Sequence, residues 1–132
     1  MKKLILFVVL MMAGSSLLLA QKSSAAKAEF VETIHDFGNI SESGGDVTCR
    51  FVFKNTGKSP LIVTRAIASC GCTEPSHPKV PIAPGKTGEI TVTYHPKGRP
   101  GEFNKNVTVY TNGKPEKYTL LIKGVVVPGG KK

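Results

Sequence analysis

The sequence predicts an all-β sandwich of about seven strands behind an export leader. Three observations point there: short runs in which apolar and polar residues alternate, turn signals between those runs, and no helical spacing beyond the leader. A strand with one buried face reads with a period of two, and regularly spaced turns favour two packed sheets. A small closed barrel is the alternative arrangement.

The chain starts Met1-Lys2-Lys3, then runs from Leu4 to Ala20 without a charge and on into small residues. A basic start, an apolar run and small residues make a secretory signal. The expected signal peptide is residues 1–25, with the cut somewhere in 20–28. A retained helical anchor is the second reading. No cysteine lies near the cut, so a lipid anchor on cysteine is unavailable. The mature chain has about 107 residues, enough for one modest core. One domain is expected over 29–127, followed by a flexible tail at 128–132.

Residues 29–34 form a short apolar-alternating start before His35-Asp36-Phe37-Gly38. From Asp46 to Asn55, Val47, Cys49, Phe51 and Phe53 alternate with Thr48, Arg50, Val52 and Lys54. The segment Asn55 to Pro60 is a turn, with Gly57 expected at positive φ. Leu61 to Ala68 is a strand rich in β-branched residues. Residues 69–86 read as a loop, because Pro75, Pro78, Pro81 and Pro84 rule out a central strand. Pro84-Gly85 is a second turn. Glu89 to His95 and Phe103 to Thr111 alternate again, and Asn112-Gly113 signals a short hairpin. Tyr118 to about Val127 is the last strand. Phe51, Phe53, Ile90, Val92, Tyr94, Val107, Val109 and Leu120 are the predicted core.

The net charge is +9. It falls to about +6 once Lys2, Lys3 and Lys22 are gone, and the remaining basic residues are spread along the chain. Solvated strand faces and loops account for them, with weak attraction to an anionic surface as the functional reading. No nucleic-acid partner is expected for a chain that leaves the cytoplasm. Neither a serine in a glycine elbow, nor paired carboxylates, nor a glycine-rich phosphate loop appears, so no catalytic residues are assigned and a non-enzyme is expected.

Cys70-Gly71-Cys72 is the most specific feature. Export permits disulfides. One reading pairs Cys70 with Cys72, as a loop brace or as a labile redox pair. A second makes the two thiolates ligands for copper or zinc, with His77 adding an imidazole and Cys49 a further sulfur. The third packs both cysteines under the proline loop as plain structure. No cofactor is expected unless the metal reading holds. Cys49, on the apolar face of its strand, is expected as a buried free thiol. His35 is expected near an edge strand, and His95 in solvent at a strand end.

Several segments resemble one bacterial family, the domain-of-unknown-function family numbered 1573. They are His35 to Ile40, Phe51 to Gly57, Pro60-Leu61, Ser69 to Thr73, Pro81 to Gly85 and Gly98 to Phe103. The match covers roughly residues 29–127. The resemblance implies an immunoglobulin-like sandwich of the ASH, MSP and PapD kind in the cell envelope. It carries the motif's cysteines to Cys70 and Cys72 but implies no activity. His77 departs from the aromatic residue common in the family there, and Cys49 lies outside the family pattern. The resulting expectation is a binding or structural module in the periplasm, at the cell surface or secreted. Its partner would be an envelope protein, met by strand-edge addition or by the Cys-Pro loop. Membrane contact is expected only if the leader is retained.

Overall fold

The computed structural model describes residues 25–129. The expected leader, apart from Ala25, lies outside the described residues, as do residues 130–132 of the expected tail. The strands are β1 (Ala28–Phe30), β2 (Ile34–Ser41), β3 (Val47–Asn55), β4 (Val63–Ala68), β5 (Thr73–Ser76), β6 (Thr87–Tyr94), β7 (Gly101–Thr111) and β8 (Lys117–Val127). They form two four-stranded sheets, ordered β1-β3-β6-β5 and β2-β8-β7-β4. All eight predicted core residues are buried between them. The alternation in β3 is what packs: Cys49, Phe51 and Phe53 point inward while Arg50, Val52 and Lys54 face water.

Three departures from the sequence reading have physical reasons. The opening stretch 29–34 is not one strand. β1 pairs antiparallel with β3, the chain then crosses over, and β2 runs parallel to β8 in the other sheet. Strands are therefore eight rather than seven. The proline-rich loop also contains β5, which pairs with β6. The His95 N–H donates to the Cys72 carbonyl. Counting two residues along, the nitrogen of Pro75 faces away from β6, so its missing donor costs no ladder bond at this edge.

The third departure concerns Gly57, which does not take positive φ, whereas Gly85 does (φ 81°). Gly57 is required for close approach instead. A Cβ there would lie 2.1 Å from the Ala25 carbonyl oxygen, and one at Gly113 would lie 2.4 Å from that of Ala26. Residues 25–27 thread between these two turns. Lys58, Lys114 and Thr56 donate their N–H groups to the carbonyls of Ala25, Ala26 and Lys27.

Asn55 ties this end together. It is fully buried, at 0% exposure. Its Nδ2 donates to the Ser59 and Ile82 carbonyls, both at 2.8 Å, and its Oδ1 accepts from the Gly57 and Lys27 N–H groups at 3.0 and 3.3 Å. Both amide hydrogens and both oxygen lone pairs are thereby used. Leu61 and Ile82, both buried, exchange two backbone hydrogen bonds beside it.

Asn55→Ala removes four hydrogen bonds and strands their partners in the interior. A loss of about 3 kcal/mol is expected, read as a lower urea midpoint at unchanged slope. An unchanged midpoint would show that the amide is dispensable.

Candidate functional site

The chain passes from β4 in one sheet to β5 in the other through Ser69 to Cys72. At the start of this crossing Ser69 donates its N–H to the Asn106 carbonyl, and its hydroxyl accepts from the Asn106 N–H. The Thr73 N–H returns to the Cys70 carbonyl, which closes a tight turn. That turn brings the Cys70 and Cys72 sulfurs into bonding contact, with Cα atoms 5.4 Å apart. Cys72 is buried, Cys70 is half-buried and Gly71 is exposed. Of the predicted site residues, these two are brought together.

His77 is not brought to them. It follows β5 while Cys72 precedes it, and an extended strand of that length separates the two by about 16 Å. The His77 Nδ1 lies 2.9 Å from the Pro78 carbonyl, and its Nε2 lies 3.4 Å from Lys79 Nζ. Among the described residues, no three His, Cys, Asp or Glu side chains are grouped to hold a metal ion. Cys49 is buried on the inner face of β3, opposite Val92. Desolvation pushes its thiol up to about 11. His35 sits on the edge strand β2, its ring packed edge-to-face on Phe37 with centroids 4.5 Å apart.

The residue that sequence reasoning missed is His95. It is two-thirds covered and bridges two acids, with Nδ1 2.9 Å from Asp46 and Nε2 2.8 Å from Glu74. Asp46 leads into β3 and Glu74 lies on β5, so the ring clasps three adjacent strands at the Cys70–Cys72 end. Only the imidazolium donates from both nitrogens. The Asp46 hydrogen bond, then that of Glu74, raises the His95 pKa above its ordinary value. No local motif announces this cluster, because its members are brought together only by strand pairing. Beside it lies a shallow cleft of about 500 Å³ lined by Glu42, Asp46, Pro96 and Lys97, among others.

The family model described as "Protein of unknown function (DUF1573)" matches residues 28–126. The chain belongs to the DUF1573 family. No curated protein matches it. A Porphyromonas gingivalis W83 protein of unknown function is similar at TM-score 0.68 and 14% identity, over 82% of this chain and 50% of that one. The DUF1573 chain thus spans half the length of that protein. The ASH / PapD-like domain 7 of human CEP192 is similar at TM-score 0.62 and 13% identity, over 83% and 92% of the two chains. The Pseudomonas aeruginosa CupB2 chaperone follows at TM-score 0.53 and 14% identity, over 74% and 55%. Likeness at such identities is likeness of fold, and the fold is an immunoglobulin-like, PapD-like sandwich.

The His95 clasp gives the DUF1573 protein a signed pH dependence. A raised folded pKa adds stability that is complete below the unfolded value near 6.5 and is lost as pH rises through the folded pKa. His95→Gln should therefore remove a few degrees of melting temperature at pH 6 and less at pH 9. Parallel pH profiles for the two proteins would reject the clasp.

Proposed function

We propose that this DUF1573 protein is an exported, non-catalytic binding module of the cell envelope. It takes an extended segment of a protein partner along the open edge of β4. The observation that carries this reading is the state of the four sheet edges. β1 has three residues, and β5 has four and contains Pro75. β2 is interrupted by a register shift between Asp36 and Asn39. Short strands, prolines and bulges are the usual protection of edges. β4 lacks proline; its ladder with β7 shifts register between Val63 and Arg65 and is regular from Arg65 to Ala68.

The Ser69 N–H to Asn106 carbonyl bond sets which groups on β4 are free. Alternation along the ladder pairs Ile67 and Arg65 with β7 and turns the backbone groups of Ala66 and Ala68 outward. Ile67 on β4 and Ile62 just before it, 46% and 42% exposed, supply apolar contact along this edge. Arg65 lies over the Tyr110 ring at 4.2 Å. An extended segment added here would gain main-chain hydrogen bonds for affinity and side-chain contacts for selection. The chaperone of similar fold supports a protein-binding role, and the uncharged run from Leu4 to Ala20 supports export.

A photoreactive side chain at position 67 should give a discrete protein adduct in intact cells, and one at Val52 on the other sheet should not. Ala66→Pro keeps the ladder to β7 but blocks the free edge, so it should abolish the adduct. An adduct that survives Ala66→Pro, or none at all, would overturn strand addition at β4.

We further propose that Cys70 and Cys72 form a disulfide that braces the crossing between sheets. The leader is cut upstream of Ala25, since the Ala25 carbonyl and the buried Ala26 are built into the fold. Intact mass of the protein from the envelope, alkylated under denaturing conditions before and after reduction, tests both points. One alkylated thiol before reduction and three after is the expected result, with an N-terminus at or before Ala25. Three thiols before reduction with a retained copper or zinc mass would make this a metal-handling protein instead.

A further inference from the structure

The scattered lysines of the sequence are not scattered in space. β3, β6, β7 and β8 run between the two ends of the sandwich. At the end away from the cysteines lie Lys27, Lys54, Lys58, Lys86, Lys114 and Lys117, every one exposed. The ion pairs among the described residues are Arg50–Glu89, His95–Asp46 and His95–Glu74, so none of these lysines has an acidic partner. The acids nearby are Glu116 and, beside Lys54 in the β1–β3 ladder, Glu29. The opposite end is close to balance: Glu42, Asp46, Glu74 and Glu102 stand against Lys97, Arg99 and the His95 imidazolium. The molecule is electrostatically polarised along its long axis.

The basic end is also where the described chain begins, at Ala25. Three backbone hydrogen bonds, from Thr56, Lys58 and Lys114 to the carbonyls of residues 25–27, gather the lysine-bearing turns around that point.

The geometry points to a membrane-facing pole: the six-lysine end docks on the anionic headgroups of a bilayer and holds the domain upright. The Cys70–Cys72 turn and the His95 clasp then face away from the membrane, and the β4 edge stands alongside, open to a partner. Lysines near an anionic surface act additively and within a Debye length, about 10 Å at 0.1 M salt. Long flexible stems let the ammonium groups reach the headgroups while the turns keep their hydrogen bonds. The inference depends on the envelope reading for its location but not on β4 as the partner edge, and its test involves no protein partner.

Two variants of the protein as recovered from cells separate the pole from net charge. Lys54→Gln/Lys86→Gln/Lys114→Gln removes three charges from the pole, and Lys97→Gln/Arg99→Gln/Lys105→Gln removes three elsewhere. All are compared by co-sedimentation with phosphatidylcholine vesicles with and without phosphatidylglycerol. Binding of the unaltered protein should rise with phosphatidylglycerol content and fall with salt. The pole variant should bind about a hundredfold more weakly at low salt, and the second variant should bind within a few-fold of the unaltered protein. Any leader that remains is common to all three proteins and cancels. Equal losses in both variants would reduce the effect to net charge and overturn the pole. Binding indifferent to phosphatidylglycerol would overturn it too. If soluble polyphosphate at matched charge is held as tightly as the vesicles, the surface recognises anionic polymer and the bilayer assignment fails.

Discussion

The buried amide of Asn55 is the constraint on which one end of this sandwich depends. A polar side chain with no water access must satisfy every donor and acceptor or cost more than it contributes. Asn55 does so by reaching four backbone groups that lie far apart in sequence: Lys27, Gly57, Ser59 and Ile82. The first of these lies at the very start of the domain. One side chain thereby sets where the chain enters, how the turn after β3 folds, and how Ile82 sits against Leu61. Gly57 and Gly113 complete the arrangement by leaving room for the carbonyls of Ala25 and Ala26.

The other end is held differently. There the chain crosses between sheets through Cys70 and Cys72, and a histidine flanked by two acids clasps β3, β6 and β5. One end rests on neutral amide hydrogen bonds. The other carries His95, whose pKa the hydrogen bonds to Asp46 and Glu74 raise. Between them lies an ordinary apolar core, with Tyr94 stacked on Phe103 at 4.0 Å and Phe53 tilted against Phe30 at 5.2 Å. Charge follows the same axis, so the two ends differ in bonding, in response to pH and in the density of basic residues.

Much of this fold was legible in the sequence. The alternation of Cys49, Phe51 and Phe53, or of Ile90, Val92 and Tyr94, marks the inner face directly, because successive side chains of a strand point to opposite sides. The prolines after Cys72 exclude a central strand, although they do not reveal that Pro75 sits harmlessly on an outer one. Asn55-Thr56-Gly57 is readable as a turn. The reason for its glycine is not, because the atoms a Cβ would meet belong to residues about thirty positions earlier.

The sequence by itself determined most of the strands, their buried faces and the closeness of Cys70 to Cys72. All of these are set by neighbours within a few residues. Only the tertiary structure decided that the first strand divides between two sheets, and that β2 runs parallel to β8. It also decided that His95 meets Asp46 and Glu74, that His77 stays apart from the cysteines, and that six separate lysines share one end. Each of those depends on which strands lie side by side and in what register, and pairing between distant segments leaves no periodic trace in either of them.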